Sequence, residues 1–292
     1  MFRPDILIIF TLVHGGVYAL LAVGFSLIFG VARLINLTHT AFYMLAAYVL
    51  WYLTRELGLG VVASIVITVV GISLLGILSY KLFIDRIREH ASAVLLVTIA
   101  LALFFEQLIY ALFQGHIRTI QSFIPGYSVI WGIKVLNQYL VSLGIAAVII
   151  VIVWLLLSKT KMGITIRAVA NDAEIASLMG ISISRTLLIT MGIATALAAI
   201  AGVIIAPSQA ITPTIWTPPL TMIMVIVILG GLGSIKGSII GAFIIAFVEQ
   251  LVSLSFSGGG YLSITFVMLA MVIVLVVRPG GLFGTIFEEE RL

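Results

Sequence analysis

The sequence predicts an all-α, polytopic transmembrane helical bundle of about nine spans, with eight the nearest alternative. Three observations predict it. Of the 292 residues, 62% are hydrophobic and only 9% charged, with a mean hydropathy of +1.31, whereas soluble domains carry about a quarter charged residues. The apolar residues run in stretches near the ~20 needed to cross a bilayer. Two interruptions break them, at 30–40 and at Gly230-Gly231-Leu232-Gly233-Ser234-Ile235-Lys236-Gly237. Broken backbone survives inside a membrane only where protein or water satisfies it, so paired interruptions point to discontinuous helices beside a transport path. No long polar segment supplies a second domain, and residues 1–292 are expected to form one bundle.

The spans follow in order. The first covers 7–29; it follows Arg3 and lacks a small-residue cleavage site, so it reads as a retained span. The second, 36–53, opens with Asn36, Thr38, His39 and Thr40. Stretches 61–83, 91–113, 135–157 and 184–205 are uninterrupted. Stretch 220–229 is short and needs the glycine region after it; 237–252 and 262–277 complete the count. Small residues crowd 191–202 and 237–246, which lets helices approach closely. Lys81, Arg86 and Arg88 mark one loop as cytoplasmic, and Lys159, Lys161, Arg167 and Arg185 mark another. Counting from these places 114–134 with Trp131, 207–219 with Trp216, and the N-terminus outside, and Arg278 inside. Arg3 argues mildly against the outer N-terminus.

Charge and composition exclude several functions. The net charge is +4, from 15 Lys+Arg and 11 Asp+Glu, without the basic block that nucleic acid needs. Cysteine is absent, so disulfides and thiol chemistry are excluded. His14 and His39 lack metal-site spacing, and no nucleophile–base grouping can be read from the sequence. Neither an enzyme nor a cofactor site is expected.

Polar groups within or beside spans are the remaining candidates. Asn36, Thr38, His39 and Thr40 offer either a polar patch on the solute path or a capped re-entry that satisfies backbone amides; Gly230, Gly231 and Gly233 are the path candidates of the second interruption. Glu106 and Glu249 each lie in a Phe-x-Glu-Gln-Leu setting, at 104–108 and 247–251. Such a carboxylate costs on the order of 3 kcal/mol at a helix centre, so both must be shielded, paired or protonated. Interhelical hydrogen bonding and a proton relay are the two readings.

The largest cytoplasmic segment, 158–183, contains Asn171-Asp172-Ala173-Glu174, which fits a capping box with Asn171 as the cap. A short helix is expected there, ended by Gly180 and presenting Ala173, Ala176, Leu178 and Met179. It either docks a soluble partner or packs as a connector.

Ordered motifs now carry a resemblance. Gly16-x-Tyr18-Ala19-Leu20-x-Ala22-x-Gly24, Leu34-Ile35-Asn36-Leu37-Thr38-His39 and Met44-Leu45-Ala46-Ala47-Tyr48 are followed by Arg167-Ala168-x-Ala170-x-Asp172 and Leu178-Met179-Gly180-Ile181. The glycine run and Arg278-Pro279-Gly280-Gly281-Leu282-Phe283-Gly284 complete the set. The chain resembles the permease subunits of high-affinity branched-chain amino-acid ABC importers. The family usually has smaller residues where Thr38, Thr40 and Ala46 stand. The resemblance implies a multi-pass protein of a bacterial or archaeal cytoplasmic (inner) membrane. It also implies a sister permease in a heterodimeric pore, two ATPase subunits carrying ATP and Mg, and an extracytoplasmic substrate-binding protein. Segment 158–183 becomes the coupling element, with Asp172, Ala173, Glu174, Ala176, Gly180 and Ile181 at its recognisable positions. Consistently, Lys236 follows Ile235 rather than glycine, so no phosphate-binding loop is present and ATP hydrolysis belongs to another chain. The implied solute is a branched-chain or other hydrophobic amino acid. Urea, short amides or other small solutes are alternatives within the family, and an ion-coupled secondary transporter using Glu106, Glu249 or His39 is the alternative class.

Overall fold

The computed structural model describes residues 4–256, 259–278 and 280–283. Arg3, Pro279 and Gly284 lie outside them. Every predicted span falls on a helix: α1 (Pro4–Ala32), α2 (His39–Trp51), α3 (Val61–Ser79), α4 (Ala91–Phe113), α5 (Asn137–Lys159), α8 (Ile183–Ile205), α9 (Thr217–Gly230), α10 (Ile235–Ser255) and α11 (Gly259–Val277). The segment between α5 and α8 forms α6 (Lys161–Asn171) and α7 (Ala173–Leu178). Among the described residues, six helices are long and apolar enough to cross a membrane; α2, α9 and the apolar part of α11 are shorter. Helices α2 and α3 each end in a π-helical turn, Tyr52–Glu56 and Tyr80–Ile84.

The bundle is built around α1 and α8. Helix α1 packs mainly on α10 and α8, while α8 also takes α2 and α3. Polar side chains tie the contacts. Ser26 on α1 and Ser238 on α10 share a buried hydrogen bond, Ser73 donates to the Gly192 carbonyl at 2.9 Å, and Ser142 donates to the Ile204 carbonyl at 2.8 Å. Such bonds and small residues hold helices together where lipid offers no hydrophobic drive. The outward sides of α3, α4 and α5 carry Val62, Leu74, Leu96, Leu112, Val148 and Trp154, all exposed.

Three expectations are corrected. Stretch 220–229 gains its length at its start, from Thr217, and ends at Gly230, while 231–234 form a turn before α10. Pro218 and Pro219 lie in α9 and not in the 207–219 loop that the hydropathy predicts, because proline fits a first turn, where its missing N–H has no helical partner to lose. The 114–134 loop contains a hairpin, β1 (Tyr127–Ile130) paired antiparallel with β2 (Ile133–Leu136), turning through Trp131 and Gly132 at φ 51° and 78°. That hairpin takes the first residues assigned to stretch 135–157, so α5 starts at Asn137.

The ends of the helices meet as the charge pattern groups them. Arg118 and Ile211, from the two segments assigned outside, exchange backbone hydrogen bonds of 3.0 and 2.8 Å. The guanidinium of Arg118 also lies 4.4 Å from the ring centroid of Trp51. On the opposite side, Ser184 donates to Asp85 at 3.5 Å and Arg33 to the Ala170 carbonyl at 3.4 Å.

Candidate functional site

The first interruption places half a helix inside the bundle. After α1 the chain runs non-helically through 33–38, and α2 starts at His39. His39 Nε2 donates to the Leu21 carbonyl at 3.1 Å, and Leu21 precedes the end of α1 by 11 residues, or about 16 Å at the helical rise. The α2 start is therefore deep. Gly24 makes room for it: a Cβ there would sit 2.8 Å from His39 Cε1 and 3.0 Å from the Ala194 carbonyl. Asn36 Oδ1 accepts from the Thr38 amide at 3.1 Å, Asn36 O accepts from the His39 amide at 3.3 Å, and Thr38 Oγ1 donates to the Thr98 carbonyl at 2.7 Å. These bonds supply what a buried backbone break demands. His39 Nδ1 and Thr40 Oγ1 are buried without a hydrogen-bond partner among the described residues.

A cavity on the side assigned outside, the outer cavity, lies between α1, α2, α10 and the segment joining α8 to α9. Its volume is about 400 Å³, within the range of small-molecule sites. Tyr18, Tyr43, Gln209, Thr214 and Glu249 contribute polar groups, and Val17, Leu21, Ile205 and Ile215 an apolar wall. Gln209 donates to the Tyr43 hydroxyl, and Tyr18 donates to Glu249 Oε1 at 3.1 Å. Glu106 lies elsewhere: its Oε2 accepts from Trp216 Nε1 at 2.8 Å, joining α4 to the start of α9. Glu106 precedes the end of α4 by seven residues and Glu249 the end of α10 by six, about 10 Å each. Neither pays the full cost expected at a helix centre.

On the side that the charge pattern assigns to the cytoplasm, α7 is fixed at both ends. Asp172, not Asn171, is the cap: Asp172 Oδ1 accepts from the Ile175 amide at 2.9 Å, while Asn171 closes α6. At the other end Gly180 adopts φ 82°, with Gly180 N donating to Ser177 O and Ile181 N to Ala176 O at 2.9 and 3.0 Å. This pair of bonds is a Schellman motif, which needs a left-handed residue where Gly180 stands. Ala176 is 4% exposed and faces inward, correcting the expectation that it lies on the outer face. The surface instead presents Ile175, Leu178 and Met179, the last two about 80% exposed.

A family model described as "Branched-chain amino acid transport system / permease component" matches residues 7–277. The chain belongs to that permease family. It is 26% identical over 291 residues to the Escherichia coli K12 high-affinity branched-chain amino acid transport system permease protein LivH, covering 92% of each chain. It is 25% identical over 287 residues to the Pseudomonas aeruginosa permease protein BraD, again covering 92% of each. A probable branched-chain amino acid transport permease protein LivH from Methanocaldococcus jannaschii is 27% identical over 296 residues, covering 96% of this chain and 92% of that protein. Among solved structures, PsaBC from Streptococcus pneumoniae in complex with Fab has the same fold, with a TM-score of 0.51 at 15% identity, covering 93% of this chain and 91% of that one.

Two permease motifs that are far apart in sequence form one contact. Leu229 O and Gly230 O, the last carbonyls of α9, accept from Leu282 N and Phe283 N at 2.8 and 3.1 Å. A Cβ on Gly230 would lie 2.5 Å from the backbone of Gly237, and Gly233 packs on Gly30 at the end of α1. The glycines of the second interruption thus let α9, α10 and α1 close on one another. Of the predicted path residues, none of Asn36, Thr38, His39, Thr40, Gly230, Gly231 and Gly233 lines the outer cavity. Sequence reading missed Tyr18, Tyr43, Gln209 and Thr214 as cavity residues; only Glu249 carried a signal, as a carboxylate within a span.

Proposed function

We propose that this permease is one half of the translocation pore of an ATP-driven importer for branched-chain or other hydrophobic amino acids. In this reading the chain acts as one permease domain. It crosses the membrane nine times and pairs with a sister permease. Solute arrives from an extracytoplasmic binding protein, and two ATPase subunits that hold ATP and Mg drive the cycle. This chain contributes the path and the mechanical link.

The observation that carries the reading is α7. A six-residue helix is too short to persist alone, yet a side-chain cap and a Schellman motif hold it while Ile175, Leu178 and Met179 are left uncovered by the rest of the chain. Packing within this chain does not explain that face; a groove on a soluble subunit does. Asp172, Ala173, Glu174, Gly180 and Ile181 shape and terminate the helix, Ala176 seats it on the bundle, and the exposed apolar residues make the contact. The mixed polar and apolar lining of the outer cavity supports a small amphipathic solute over urea.

The test is ATP hydrolysis by the reconstituted complex. Solute-loaded binding protein should raise the rate several-fold over that without it. Equal rates in both conditions would remove the importer reading.

A further inference from the structure

Among the described residues lining the outer cavity, Glu249 is the one carboxylate and His14 the one base, and neither Lys nor Arg is present. Its Oε1 accepts the Tyr18 hydroxyl, while Oε2 has no partner among the described residues. Accepting one hydroxyl needs no charge; a glutamine would serve. A carboxylate in a low-dielectric setting is costly unless a cation pairs with it. Its terminal torsion is broad, so either oxygen can turn toward the cavity, and the Tyr18 oxygen keeps lone pairs for a further donor.

We propose that this cavity is an ammonium site, in which Glu249 receives the amino group of the solute and the wall of Val17, Leu21, Ile205 and Ile215 receives an apolar side chain. The inference rests on the amino-acid reading above and adds the group that distinguishes an amine-bearing solute from its des-amino acid. An ammonium supplies the counter-charge that the Glu249 carboxylate lacks and several donors for its oxygens. His14 is the one base among the described lining residues, and with neither Lys nor Arg beside it the Glu249 carboxylate repels a carboxylate-only solute.

Protection of a single cysteine tests this without ATP. The chain contains no cysteine, and exposed Thr214 lines the cavity. Thr214→Cys in the assembled complex, without binding protein, is labelled by an impermeant maleimide and read by gel shift of this chain. Leucine and isopentylamine should slow labelling, while 4-methylpentanoate should not. Glu249→Gln should raise the half-protecting concentration of both amines at least about tenfold, as loss of a charge-assisted hydrogen bond requires, whereas Glu249→Asp should keep most of the protection. Equal protection by 4-methylpentanoate without any change at Glu249, or unchanged protection by isopentylamine in Glu249→Gln, overturns the ammonium site. If amines protect as expected but the complex fails to accumulate leucine with ATP, the importer reading fails and the site stands. If leucine accumulates and 4-methylpentanoate protects equally, the site fails and the importer stands.

Discussion

Truncating the exposed face of α7 should separate partner binding from folding. Leu178 and Met179 are 82% and 79% exposed, so Leu178→Ala and Met179→Ala remove few contacts within this chain. Such surface changes usually alter stability by less than about 0.5 kcal/mol. In a partner groove, each side chain would bury most of its apolar area, at most about 2 kcal/mol per truncation. Allowing for incomplete burial, the double variant should lose about 3 kcal/mol of association, or roughly a hundredfold in affinity. The assay titrates purified ATPase subunit onto the permease in nanodiscs and compares melting of the permease alone. The double variant should melt within a few degrees of the parent and bind the ATPase far more weakly. Parental affinity with intact folding would show that α7 is a connector. Ala176→Arg is a poorer probe, because Ala176 is buried and an arginine there would displace α7 itself.

Sidedness should follow the cross-links between loops: in a cysteine-free background, Gln121→Cys should react with an impermeant reagent from outside and Ser177→Cys only after permeabilisation, and the opposite pattern at both would invert the topology. Glu106→Gln keeps an oxygen for Trp216 Nε1–H, so it should retain most uptake with an unchanged pH profile, while Glu106→Leu should cost about 2 kcal/mol of stability by stranding the indole donor; loss of uptake in Glu106→Gln would show that the charge itself is used. Gly237→Ala drives a Cβ into the Gly230 carbonyl and should destabilise by about 2 kcal/mol, whereas Gly71→Ala meets open space within α3 and should be tolerated; equal melting temperatures would refute the close approach of α9 and α10.

The helices were legible because apolar length is a strong signal, and α4 spans the predicted 91–113 without adjustment. Boundaries failed where one residue type serves two roles. Pro218 and Pro219 open α9 although proline also marks loops, and Asn171 and Asp172 are both good caps, so only the backbone shows which one is used. The orientation of Ala176 was not legible, since a helix of fewer than two turns has too short a period to define a face and a small residue suits either side. The outer cavity was the least legible part. Tyr18, Tyr43, Gln209 and Glu249 come from four separate parts of the chain, and no spacing along the sequence brings them together.

The most direct test of the account is the energy source for uptake. Proteoliposomes containing this permease, its sister, the ATPases and a solute-loaded binding protein should accumulate leucine only with internal ATP, and vesicles of this chain alone should show no uptake under an imposed proton gradient. Proton-driven accumulation by this chain alone would contradict the account.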